Sequence, residues 1–130
     1  SFCVAPGTNP QILARANELR IPFFPGVCTA TDIELAMAHG RFFLKFFPAE
    51  ASGGLEMMSA LYGPYAHRGI RFMPTGGITL DNVSSYLAHP AVSAVGGTWL
   101  VPRRLIEQRD WQAIELLTRE AMDIVGGGGT

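Results

Sequence analysis

The stretch GRFFLKFFPAE (residues 40–50) sets one lysine, Lys45, among Phe42, Phe43, Leu44, Phe46 and Phe47. An amine so placed is either a charge reaching water from a strand edge, its stem covering the rings, or a nucleophile. In an extended strand alternate side chains take opposite faces. Phe43, Lys45 and Phe47 therefore share one face, and Phe42, Leu44 and Phe46 the other. Desolvation by Phe43 and Phe47 would disfavour the ammonium and favour the neutral amine, which attacks a carbonyl carbon to form a Schiff base. Local sequence leaves both readings open.

Two glycine turns offer a second kind of chemistry. PTGGIT (74–79) and VGGTWL (95–100) each place paired glycines just past an apolar run. Glycine lets backbone N–H groups approach an anion closely, and a following helix N-terminus adds a favourable dipole. Two such turns on consecutive strands are similar to the phosphate site that barrels build after late strands, with Thr75 and Thr98 as possible hydroxyl donors. Each turn taken alone reads equally as a tight strand-to-helix connection. Neither carries the Gly-Lys-Ser/Thr ending of a Walker loop.

The other candidates are weaker. His39, His67 and His89 lack metal-ligand spacing and read as solvated helix ends. Glu50 is a loop carboxylate that could approach the site. Trp99 and Trp111 read as packing residues, Arg103, Arg104 and Arg109 as a solvent-facing basic cluster, and LEMMSALYG (55–63) as a core-facing helix. Cys3 and Cys28 show no CxxC pattern and read as unpaired small apolar residues.

These groups need elements to hold them. Short apolar runs recur at 1–7, 21–27, 41–48, 70–77 and 92–99, with starts 20 to 29 residues apart. Helix-start signals follow: Asn9 as N-cap with Pro10 at the first helical position, Thr31 with Glu34 as a capping box, and Thr79 before LDNVSSYL. Helical spacing fills the gaps, as at Ile12, Leu13, Ala16 and Leu19 or Ile114, Leu117 and Ala121. The alternation predicts βα units on a parallel sheet, with ligand chemistry at the C-terminal ends of the strands. The fold class is α/β: part of a (β/α)-barrel, or failing that a doubly wound open sheet. Five strands do not close a barrel, which needs eight, so about three units are expected before Ser1.

With 130 residues, 48% hydrophobic and 16% charged, the chain is one domain at most and too apolar for disorder. A net charge of −1 gives no handle for nucleic acid or an anionic membrane. No run is long enough to span a bilayer. Residues 1–125 read as a partial barrel and 126–130, GGGGT, as a glycine-rich tail or linker. The strand-like start and glycine-rich end read as those of a fragment or a rearranged chain.

In order and spacing, APG, IPFFPGVCTATDIE, KFFPAEASGG, RFMPTGGIT and VGGTWLVP resemble the C-terminal portion of the 2-keto-3-deoxy-6-phosphogluconate (KDPG) aldolase family, which also takes in 4-hydroxy-2-oxoglutarate aldolases. The resemblance implies a (β/α)8 TIM barrel, this chain covering about the last five βα units. It implies a cytoplasmic homotrimer that cleaves a phosphorylated 2-keto acid through a Schiff base, without metal or other cofactor. Residue by residue, Lys45 falls on the Schiff-base lysine. Pro6 and Phe47 fall on the pyruvate pocket, and Thr75 on the threonine beside the substrate. Gly76, Gly77 and Gly97 fall on phosphate-binding backbone positions, and Thr98 stands where serine is frequent. The family's general-base glutamate and carboxylate-binding arginine belong to the first three units, so neither is assigned to Glu50 or Arg41. The alternatives are a 2-keto-3-deoxy-6-phosphogalactonate aldolase using the same lysine, and a non-catalytic half-barrel or permuted assembly module.

Overall fold

The computed structural model describes residues 1–127. Strands β1 (Cys3–Val4), β2 (Phe23–Phe24), β3 (Gly26–Val27), β4 (Phe43–Phe46) and β5 (Arg71–Pro74) alternate with helices α1 (Pro10–Glu18), α2 (Ala30–Ala38), α3 (Gly54–Tyr65), α4 (Val83–Leu87), α5 (Arg103–Gln108) and α6 (Trp111–Gly127). Every strand pairing is parallel: β1 with β2, β3 with β4, β4 with β5. Among the described residues, paired strands are neighbours in sequence, with no reversal of strand order of the kind that marks a doubly wound sheet.

The second and fifth apolar runs depart from the expected strands. The second is split into β2 and β3 by Pro25, which has no N–H for the ladder; its carbonyl instead accepts the N–H of Lys45 at 2.8 Å. The fifth forms no continuous strand among the described residues, only two parallel bridges, Phe72 to Val92 and Thr75 to Gly96. It is paired on one side only and contains a glycine pair, which weakens a strand.

The helix starts follow side-chain chemistry. Asn9 caps α1, its Oδ1 accepting from Gln11 N at 2.9 Å and Ile12 N at 3.3 Å. The capping box of α2 is Thr29 with Asp32, not Thr31 with Glu34. Asp32 Oδ2 accepts from the N–H groups of Cys28 and Thr29, each at 3.0 Å, and from the Thr29 hydroxyl at 2.8 Å. Burial pushes the Asp32 carboxyl up, but these bonds outweigh it and hold the group below its ordinary 3.8. Three residues separate Thr79 from α4, which starts without a side-chain cap; Asn82, at the N-cap position, instead turns its Oδ1 back to accept Thr79 N at 2.8 Å. The last helix runs through Gly126 to Gly127. The rest of the expected tail, 128–130, lies outside the described residues.

The main core lies between the sheet and its helices. Leu44 and Phe46 of β4 and Phe72 of β5 pack with Ile33 and Ala36 of α2, Met58 of α3, and Val83 and Tyr86 of α4. A smaller cluster joins Leu13 and Ala16 of α1 to Phe23. The opposite face of the sheet is partly open. There Phe2, Phe24 and Phe43 touch in series, with centroids 5.2 and 4.6 Å apart. Trp99 is half-buried, but Trp111, expected to pack, is 60% exposed. Cys3 is exposed and Cys28 half-buried; both are free. Among the described residues no helix is long and apolar enough to cross a membrane, and no group of three or more side chains could hold a metal.

Candidate active site

β4 presents Lys45 on the open face. Burial alternates along the strand: Leu44 and Phe46 are buried in the helix layer, while Phe43, Lys45 and Phe47 are half-buried on the other side. In register Lys45 lies between Gly26 of β3 and Met73 of β5. Its Nζ sits 4.5 Å from the centre of the Phe47 ring, a cation–π contact. It forms no ion pair among the described residues. The amine lies beside its phenylalanines as strand alternation requires, though partly open to solvent.

Pro6 reaches the lysine's neighbourhood through Gly26. A Cβ on Gly26 would lie 2.1 Å from the Pro6 carbonyl oxygen. Only a residue without a side chain allows the segment after β1 to lie so close against β3. The approach is sealed by Gly26 N donating to the Gly7 carbonyl at 3.2 Å and the Thr8 hydroxyl donating to the Gly26 carbonyl at 2.9 Å. Sequence reasoning read this glycine as a strand end and missed its role. Pro6 itself is exposed.

Beyond the β4–β5 ladder the two chains stay zipped. Thr75 N donates to the Phe46 carbonyl at 3.0 Å, Ala49 N to that of Thr75 at 2.8 Å, and Glu50 N to that of Gly76 at 3.0 Å. Gly76 (φ +92°) lies against the Phe47 ring, so Lys45, Phe47 and the glycine turn form one contiguous surface. The Thr75 methyl faces Gly96, and its hydroxyl is buried with no hydrogen-bond partner. A buried hydroxyl left unpaired is costly, and a bound polar ligand would relieve it.

Among the described residues, the N–H groups of Gly76, Gly77, Gly97 and Thr98 have no hydrogen-bond partner. Gly77 and Thr98 line a shared groove of about 530 Å³ with Thr79, Trp99 and Arg103. Arg103, at the edge of this groove, faces solvent as expected and pairs with Glu107 at 2.8 Å. The Trp99 indole lies across Gly97, where a Cβ would sit 1.6 Å from the ring.

The Glu50 carboxylate accepts from the hydroxyl of Tyr86, which is 1% exposed. Tyr86 and Asn82 are the residues that sequence reasoning missed. A buried tyrosine at helical spacing from Val83 needs an acceptor for its hydroxyl, and that is the signal that could have found it. Cys28, at the end of β3, is not a thiolate candidate: burial, then the Asp32 charge and hydrogen bond, push its thiol up from 9.0.

The scaffold is thus a sequential parallel α/β unit whose amine, orphaned hydroxyl and glycine turns gather at the C-terminal ends of its strands, where such folds bind small molecules. Residues 1–117 match the KDPG and KHG aldolase family, and the chain belongs to that family. It is 48% identical over 124 residues to a 2-dehydro-3-deoxy-phosphogluconate aldolase of Haemophilus influenzae, covering 95% of this chain and 58% of the relative. A Treponema pallidum protein of the same name is 46% identical, at 96% and 59%. The KDPG aldolase of Legionella pneumophila, solved with pyruvate as a covalent carbinolamine, superposes with a TM-score of 0.84 at 36% identity, covering 89% of this chain and 55% of that one. The chain therefore spans a little over half the length of these relatives.

Proposed function

We propose that this chain carries the lysine and phosphate portions of a class I aldolase site. Its substrate is 2-keto-3-deoxy-6-phosphogluconate, cleaved to pyruvate and glyceraldehyde 3-phosphate, with 4-hydroxy-2-oxoglutarate as a second substrate. The observation that carries this reading is Lys45, on the open face of β4, without a carboxylate partner among the described residues and in contact with Phe47.

Lys45 Nζ adds to the C2 carbonyl of the keto acid, and loss of water leaves an iminium. A base removes the C4 hydroxyl proton, the C3–C4 bond breaks, and its electron pair flows into the iminium to give an enamine while the aldehyde leaves. Protonation at C3 and hydrolysis then release pyruvate and restore the amine. Pro6 and Phe47 line the pyruvate pocket, Thr75 offers its unpaired hydroxyl to the bound acid, and Gly76, Gly77, Gly97 and Thr98 receive the phosphate on backbone N–H groups. No metal or other cofactor enters these steps. The general base is not assigned to this chain, because Glu50 is committed to Tyr86.

In this reading residues 1–125 are the last five βα units of an eight-stranded barrel, and 126–130 a tail or linker. The first three units, with the base and the carboxylate-binding arginine, correspond to the part of the relatives this chain does not match. The working form is a cytoplasmic homotrimer.

Borohydride trapping with pyruvate, followed by peptide mass spectrometry, tests the proposal. A reduced pyruvyl adduct on Lys45 is expected. Its absence from folded protein rejects the Schiff-base reading and favours a non-catalytic module. Comparing the C4 epimers of the phosphorylated substrate then separates gluconate from galactonate preference.

A further inference from the structure

We propose that Glu50 and Tyr86 form a positioning clamp that fixes the PTGG turn relative to Lys45 and so sets the preference for phosphorylated over unphosphorylated substrates. The inference rests on the aldolase reading above for its substrate, but its geometry stands apart from it. Glu50 follows Lys45 by five residues, in the loop leaving β4, and its own N–H donates to the Gly76 carbonyl at 3.0 Å. Its side chain then passes beneath Gly77 so closely that a Cβ there would lie 2.6 Å from Glu50 Cβ and Cγ. The carboxylate continues to the Tyr86 hydroxyl on α4, the helix that follows the same glycine turn.

One side chain therefore ties three things together: the exit of the lysine strand, the glycine turn, and the helix behind that turn. Its path is cleared by two left-handed glycines. Gly77 has φ +85°, and Gly54 has φ +63° with its missing Cβ 3.2 Å from Glu50 Oε1 and 3.5 Å from the Tyr86 hydroxyl. Asn82 closes the turn from the other side, its Nδ2 donating to the Gly77 carbonyl at 3.1 Å. Tyr86 cannot drift, because its ring is fully packed in the main core. Burial, and then the hydrogen bond and charge of Glu50, push its phenol well above the ordinary 10, so it remains a donor at physiological pH. The turn so held is the one whose N–H groups the aldolase reading assigns to phosphate. A small displacement there would weaken phosphate contacts while leaving the amine of Lys45 in place.

The test compares Glu50→Ala, Glu50→Gln and Tyr86→Phe in a full-length protein that includes the remaining barrel units. KM and kcat are measured for the phosphorylated substrate and for 4-hydroxy-2-oxoglutarate, with amide hydrogen exchange recorded on the same variants. For Glu50→Ala and Tyr86→Phe, KM for the phosphorylated substrate is expected to rise about tenfold, with less than about twofold change for the unphosphorylated one. Pyruvate trapping on Lys45 persists. Glu50→Gln, whose amide oxygen still accepts from Tyr86, stays near wild type, and the double variant is no worse than either single one, as for two ends of one bond. In Glu50→Ala and Tyr86→Phe the Ala49 and Glu50 amides exchange faster while the Phe72 amide does not. Equal losses on both substrates, or unchanged exchange at Ala49 and Glu50, overturn the clamp. If wild type traps no pyruvate but the exchange shift is present, the aldolase reading falls and the clamp stands.

Discussion

At the scale of single residues, Lys45 separates chemistry from packing. An arginine keeps the positive charge and most of the stem but cannot form an imine. Lys45→Arg is therefore expected to abolish the pyruvate adduct while moving the urea midpoint little, because the residue is half-buried and makes no ion pair. A large loss of stability in that variant would make Lys45 a structural residue. The lysine was legible because a strand alternates with a period of two residues, so its companions Phe43 and Phe47 could be counted off. Tyr86 and Gly26 were not legible in the same way. What each does depends on a partner 36 or 18 residues away in sequence, Glu50 for one and Thr8 for the other. No local pattern encodes that distance.

At the scale of elements, β4 has a wet face and a dry one, and they should cost differently when truncated. Phe46 is 0% exposed and packs on Phe72 at 6.1 Å, so Phe46→Ala is expected to destabilise by about 3–5 kcal/mol. Phe43, half-buried on the open face, should cost clearly less; equal losses by chemical denaturation would reverse the assignment of the two faces. The turn after α4 carries a pH dependence. His89 Nδ1 accepts the Ala91 N–H at 3.1 Å, and Ala91 in turn gives its carbonyl to Phe72 N at 2.7 Å, fastening the fifth run to β5. Burial lowers the His89 imidazole below its ordinary 6.5. The unfolded chain then binds the proton first, so this stability is complete above 6.5 and is lost as pH falls through the folded value. His89→Asn, which can still accept through Oδ1, should flatten that part of the stability–pH curve; an unchanged slope removes His89 as its cause. Element existence was readable from the recurring apolar runs and from Asn9-Pro10. Boundaries were less so: Thr29–Asp32 and Thr31–Glu34 are both plausible caps two residues apart, and only the bonds that Asp32 draws from Cys28 and Thr29 choose between them. The fifth run failed as a strand for want of a second neighbour, which is a property of the sheet and not of its own residues.

At the scale of the whole molecule, the helix-covered face is finished and the open face is not. Leu44, Phe46 and Phe72 are sealed, whereas Phe2 is 60% exposed and Val4 43%, and the free side of β1 offers unpaired backbone among the described residues. On α5 and α6, Ile106, Trp111, Leu116 and Met122 add further exposed apolar surface. Exposed apolar groups beside an open strand edge drive association, because partners remove both the hydrocarbon and the unsatisfied N–H and C=O groups from water. A 130-residue polypeptide of this sequence is therefore expected to sediment well above its 14.0 kDa monomer mass, and to do so more strongly at higher concentration. Replacing Phe2 and Val4 with charged residues should shift it toward monomer, since neither contributes to the buried clusters that hold the fold. Analytical ultracentrifugation decides it. A stable monomer at high concentration, with a cooperative melt and no binding of a hydrophobic dye, would mean that this face is content in water. The barrel reading, in which further βα units cover that same face, would then lose its physical motive.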